Sequence, residues 1–138
     1  MKVIVCLDKK DGMLFNHRRQ SRDRVVISDV LLNYSENGLY VSEYSLSLFN
    51  ASDKVHLVTN TLTNIEDTAA WRFVETAEVS DFVAEISELV VYRWDKVYPA
   101  TESFRVNWED FDCVSMQEIQ GYSHETICKE VYRRKESK

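Results

Sequence analysis

The sequence predicts an α/β domain: a mostly parallel, twisted central sheet flanked by helices, with a C-terminal antiparallel hairpin at one edge. Three observations carry this expectation. Short apolar runs rich in Val and Ile at 2–7, 54–59 and 89–94 read as strands. Between them, Val26, Ile27, Val30, Leu31 and Tyr34 recur at helical spacing and make one apolar stripe. Strands alternating with helices need crossover connections, which pair strands in parallel. The last third changes character. Residues 112–119 and 126–132 alternate like two antiparallel strands, with a turn at 121–123.

The elements follow in order. Residues 2–7 are short, apolar and polar-ended, the pattern of a buried strand. Residues 8–22 show neither period, contain Gly12 and are expected to form one long loop, a feature often tied to function. Asp23 is placed to cap the first helix, and Asn37-Gly38 to end it. Residues 39–41 make a short strand. Residues 42–49 alternate like a strand but begin with the capping residue Ser42, and a short helix is the preferred reading. Residues 61–70 read as loop with one helical turn, and 71–74 as a further strand. Val79, Phe82, Val83 and Ile86 mark a second amphipathic helix.

At 138 residues the chain is sized for a single domain, 1–138. A hydrophobic fraction of 44%, with three Gly and one Pro, argues for a packed core and against disorder. The opening apolar run stops at Asp8, too short for a secretion signal, and nothing approaches the roughly 18 apolar residues of a membrane span. A cytoplasmic protein with no membrane partner is expected. Cys6, Cys113 and Cys128 fit no zinc spacing and read as small buried hydrophobes; no metal site is expected. The composition fixes no oligomeric state.

A net charge of −6 argues against a general nucleic-acid binder. Against that background, Lys9, Lys10, Arg18, Arg19, Arg22 and Arg24 face only Asp11 and Asp23 across residues 9–24, a local charge of +4. Guanidinium groups grip phosphate or carboxylate through a planar fork. Asn16, His17, Arg18, Arg19, Gln20 and Arg22 are therefore candidate ligand contacts. The bland alternative is a solvated basic loop that pairs with the acidic remainder of the chain. His124, by the final turn, reads as an exposed polar residue, His56 as a satisfied core or edge histidine on a strand, and Trp71, Trp94 and Trp108 as packing, with Trp94 a candidate cleft wall.

Several stretches, in colinear order, resemble dihydrofolate reductase. Leu7-Asp8-Lys9-Lys10-Asp11-Gly12-Met13-Leu14-Phe15-Asn16 is similar to that family's first strand and mobile active-site loop, although Leu14 replaces a second Gly and His17-Arg18-Arg19-Gln20-Ser21-Arg22 replaces Leu-Pro-Trp. The run 89–95 with Thr101-Glu102-Ser103-Phe104, then Trp108-Glu109, Ser123-His124-Glu125-Thr126 and Tyr132-Arg133-Arg134, resembles the family's C-terminal half. A second, fainter resemblance is to small bacterial proteins labelled ribonuclease Z. The His-x-His-x-Asp-His metal motif of that enzyme has no counterpart here, since His17, His56 and His124 lie far apart.

The resemblance implies a reductase scaffold, and it also implies where NADPH phosphates would sit: a Gly-Arg-x-Thr-like turn and a Gly-Gly turn at helix N-termini. The matching positions here are Ser42-Glu43-Tyr44-Ser45 and Val74-Glu75-Thr76-Ala77, without Gly or Arg. Glu43 and Glu75 would repel an anion by about 1 kcal/mol at 4 Å in water, and by more when partly buried. No cofactor is therefore expected. The resemblance further implies a substrate-side carboxylate on the first helix. Asp23 is the closest match, with a helix cap as its structural reading, and Asp29 is the alternative. Tyr92 stands where the family has a residue bonding that carboxylate, so a Tyr92–Asp23 contact is expected. The functional expectation is a small anionic or phosphorylated heterocycle, such as a nucleotide, bound between the basic loop and the first helix. Whether catalysis accompanies binding is open. RNA binding or cleavage by the basic loop, and NADPH-dependent reduction through a rearranged site, are the alternatives.

Overall fold

The computed structural model describes residues 1–49, 52–63 and 65–136. Strand β1 (Lys2–Leu7) lies near the centre of a seven-stranded sheet. Its neighbours are β6 (Trp71–Phe73) and β7 (Glu88–Trp94), both parallel to it. Beyond β6 come β4 (Leu39–Val41) and β5 (Val55–Leu57), again in parallel. Beyond β7 the direction reverses. β10 (Ile127–Arg134) pairs with it antiparallel, and β9 (Phe111–Ile119) completes the edge. The order is β5-β4-β6-β1-β7-β10-β9. This is the expected fold class: a mostly parallel sheet with a closing antiparallel hairpin.

The alternation of side chains along β1 divides the core into two layers. Val3, Val5 and Leu7 join Val79, Ile86, Leu89, Val91 and Phe104 on one face. Ile4 joins Val26, Val30, Leu39, Phe73, Tyr92 and Trp94 on the other, beneath helix α1 (Arg24–Tyr34). The stripe on α1 is thus the inner surface of a crossover. Helix α2 (Glu43–Leu46) and the 3-10 turn Ser47–Phe49 follow β4, and buried Phe49 meets Phe73 edge to face.

Residues 8–22 are not the expected loop. β2 (Gly12–Phe15) and β3 (Arg18–Arg19) form a hairpin, joined by β8 (Glu102–Ser103) in a separate three-stranded sheet. The turn is Asn16-His17, both at positive φ, 48° and 64°. A two-residue hairpin loop of the right-handed twist needs two such residues. Strands of four and two residues are too short for a period to show, and an Asn-His turn lacks the usual Gly. Three smaller corrections concern other segments. The second helix is a 3-10 helix, Ala77–Glu85, with Val79 buried in its first turn and Ile86 buried just beyond its end. The strand expected at 54–59 is Val55–Leu57. Cys113 is exposed on β9, not buried. Among the described residues no helix is long and apolar enough to cross a membrane.

Candidate functional site

The end of the basic segment is organised by one carboxylate. Asp23 caps α1, accepting from the Val25 N–H at 2.9 Å, as its position before the helix predicts. It also reaches the turn between β9 and β10, where it accepts from the N–H groups of Tyr122 and Ser123, each at 2.9 Å, and contacts His124 Nδ1 at 2.8 Å. The side chain is 0% exposed. Burial pushes its pKa up, but the donors from Tyr122, His124, Ser123 and Val25 outweigh that cost and hold the carboxyl well below its ordinary value. The turn can approach this closely because residue 121 is Gly: a Cβ there would lie 2.7 Å from Asp23 Oδ2 and 2.7 Å from the His124 carbonyl.

His124 therefore differs from the ordinary surface residue expected. Its side chain is 9% exposed and its ring stacks on Trp94, 4.7 Å between centroids. Its Nε2 lies 2.7 Å from Ser21 Oγ. Ser21, Asp23 and His124 thus form a continuous chain of hydrogen bonds. Sequence reasoning missed Ser21 and His124, which are 103 positions apart with no motif joining them.

The hairpin is held down by its own arginine. Arg19 makes a forked ion pair with Glu75, Nε to Oε2 at 2.8 Å and Nη2 to Oε1 at 3.0 Å. The Glu75 Oε1 also accepts from Ser45 Oγ at 2.7 Å. Arg19 lies over the Tyr44 ring at 4.5 Å, while its N–H donates to Tyr44 Oη at 2.8 Å. The hydrogen bond to Glu75 outweighs desolvation, and the Arg19 pKa is raised. Arg19 is thus spent on the segments 42–45 and 74–77, and those two turns meet through one carboxylate. Of the space beside Cys6, Met13, Gln20, Ser21 and Trp94, about 10 Å³ remains. Burial, then Glu75, push the Cys6 thiol well up, which leaves it inert.

Tyr92 does not reach Asp23. Its hydroxyl donates to Asp29 Oδ2 at 2.5 Å, and Lys129 Nζ contacts the same oxygen at 2.8 Å. A carboxylate one and a half turns into α1 faces β7 and β10, whereas the capping carboxylate faces the turn, so the alternative Asp29 takes the contact. Burial, then the bond to Asp29, raise the Tyr92 pKa strongly.

The remaining candidates separate onto two concavities. Asn16, Arg18, Arg19 and Gln20, with Phe15, Tyr98 and Pro99, line an open recess of about 480 Å³ on the hairpin. His17 projects into solvent, 95% exposed, 3.5 Å from Glu102. Arg22 and Asp23 instead border a groove of about 600 Å³ between α1 and the turn after α2. Arg24, Ile27, Leu31, Phe49 and Tyr122 complete its walls. Arg24 lies over the Tyr122 ring at 3.8 Å. Among the described residues Arg18, Arg22 and Arg24 have no carboxylate within ion-pair distance, whereas Arg19, Arg93 and Arg105 do. In the sequence, Arg24 counts in the basic segment but not among the candidate contacts, and Tyr122 figures only as part of the turn at 121–123.

Superposition on known structures matches this chain to a dihydrofolate reductase from Enterococcus faecalis complexed with NADP(H) and RAB-propyl. The TM-score is 0.72 over 98% of this chain and 96% of that one. The fold is that of dihydrofolate reductase. At 9% identity the likeness to that enzyme establishes architecture, not activity. No family model matches the sequence, and no curated protein matches it. Within the dihydrofolate reductase fold, Asp23 and Arg19 bind the basic segment to the body of the molecule, and the groove beside α1 stays open.

Proposed function

We propose that this protein uses a dihydrofolate reductase scaffold to bind a small anionic heterocycle in the groove between the basic segment and α1. The observation that carries the reading is the pair Arg22 and Arg24, without carboxylate partners among the described residues, on the border of a groove walled by Ile27, Leu31, Leu48 and Phe49. In a chain of net charge −6, guanidinium groups have many acidic partners available. Two left unpaired beside apolar surface suit a ligand that is flat at one end and negatively charged at the other. Ser28, Ser47 and Ser123 add hydroxyls for orientation.

The nicotinamide dinucleotide is outside this reading. Its phosphates do not fit the segments 42–45 and 74–77, where Glu75 already supplies an anion to Arg19 and to the Ser45 hydroxyl. A phosphate brought there would have to displace a carboxylate from its forked partner.

A thermal-shift panel tests the reading, with guanosine monophosphate, folate, NADPH and a short RNA at low and moderate salt. Ligand at 100 times its dissociation constant adds roughly 2.7 kcal/mol of apparent stability. Stabilisation by an anionic heterocycle, abolished in Arg22→Ala/Arg24→Ala and kept in Arg18→Ala, supports the groove. Stabilisation by NADPH alone overturns it. Stabilisation by RNA alone, falling steeply with salt, reassigns the basic segment to nucleic acid.

A further inference from the structure

We propose that Ser21, His124 and Asp23 form a nucleophilic triad that hydrolyses a small acyl ester. The three groups stand in the required relay: Ser21 Oγ to His124 Nε2 at 2.7 Å, and His124 Nδ1 to Asp23 Oδ2 at 2.8 Å. A nucleophile, a base and an orienting carboxylate in this arrangement are recognised by geometry and role, whatever the fold or the chain order. The carboxylate sets the tautomer. An ionised Asp23 draws the imidazole proton to Nδ1, leaving the Nε2 lone pair for the serine hydroxyl. The base is also fixed in plane by Trp94, stacked at 23° to it. Asp23 itself is immobilised by the N–H groups of Val25, Tyr122 and Ser123. These contacts amount to more than a helix cap requires, since the cap uses only the Val25 bond.

The chemistry balances without a cofactor. Ser21 Oγ attacks the acyl carbon as its proton passes to His124 Nε2, and the carbonyl oxygen becomes an oxyanion. We assign that oxygen to the N–H groups of Ser21 and Arg22, the backbone donors adjacent to the nucleophile. The ester C–O bond then breaks, and the alcohol leaves with the proton from His124. Water, deprotonated by His124, attacks the acyl-serine and releases the carboxylic acid. Ester and water are consumed; acid and alcohol are produced. The space beside Ser21 is about 10 Å³, room for about one water molecule, so an acyl carbon reaches Oγ only as this crevice widens. That the alcohol carries the negative charge rests on the reading of Arg22 and Arg24 above; the nucleophile does not.

The test is covalent labelling of the full chain with methanesulfonyl fluoride, a small uncharged reagent that transfers its sulfonyl group to an activated serine and releases fluoride. Tandem mass spectrometry then locates the adduct. The expected result is modification at Ser21, absent in Ser21→Ala and slowed about 100-fold or more in His124→Gln, the range of a general base. Ser21→Ala removes one hydroxyl and is a check that the fold survives. A Ser21 that stays unmodified, or that reacts equally fast in His124→Gln, overturns the triad and leaves the arginine groove standing. A second arm measures hydrolysis of acetylsalicylate, an acetyl ester on an aromatic carboxylate. A KM raised at least tenfold in Arg22→Ala/Arg24→Ala is expected. An unchanged KM, with labelling intact, overturns the anionic leaving group alone.

Discussion

Arg19 and Glu75 face each other as two forks, 2.8 and 3.0 Å apart, and this pair fastens the β2–β3 hairpin onto the turns after β4 and β6. Both side chains are largely withdrawn from solvent, at 20% and 9% exposure. A pair in that position is costly to break on one side only, because the survivor is left buried and unpaired. Arg19→Ala and Glu75→Ala are each expected to lower stability by about 1–3 kcal/mol, and the double variant by less than their sum. A urea double-mutant cycle measures this; additive effects would show that the pair does not couple.

Acid should loosen the site through Asp23. Its folded pKa lies below the unfolded value, so the stability it contributes is fully present above about pH 4 and is lost as pH falls toward the folded value. Asp8, which accepts from Gly12, Lys10 and Tyr98 N–H groups, is depressed too and acts in the same window. Denaturation midpoints from pH 6 to pH 2 are expected to fall for the wild type and to fall less steeply for Asp23→Asn.

Gly121→Ala tests how closely the β9–β10 turn must approach. The added methyl would press on the Asp23 carboxylate and the His124 carbonyl, both 2.7 Å away. A loss of about 1–3 kcal/mol is expected, in the range of overpacking. The histidine signals in a proton NMR spectrum should shift with it, since the same turn carries His124.

Removing the Tyr92 hydroxyl leaves Asp29 with Lys129 as its remaining close charge partner. Tyr92→Phe keeps the ring in the core and is expected to cost about 1.5–3 kcal/mol, the range for a hydrogen bond to a charged group. Asp23→Asn and Tyr92→Phe should be additive, because the two side chains bond different partners.

The parts legible in the sequence were those set by long-lived periodicity. The stripe Val26–Val30 on α1, the apolar run of β1 and the closing hairpin all satisfy a rule of spacing. The cap at Asp23 was legible for the same reason, since it precedes that stripe. What was not legible depended on contacts far apart in the chain. β3 is two residues long and is defined by pairing with β2, not by its own composition. Arg19 looked like a free ligand contact because nothing local announces Glu75, 56 positions later. Gln20 is similar: its side-chain N–H donates to Asp8 and to the Pro99 carbonyl. Ser21 and His124 become a pair only when the β9–β10 turn folds back onto α1.

Backbone chemical-shift mapping tests the central claim most directly, because it reports where an anion sits and not merely that it binds. Titration with guanosine monophosphate or folate is expected to perturb amides of Arg22, Arg24, Ser28 and Tyr122 most, and to leave residues 42–45 and 74–77 unchanged. Perturbations centred on those two turns, and induced by NADPH, would contradict the account. They would mean that the Arg19–Glu75 clasp opens for a dinucleotide.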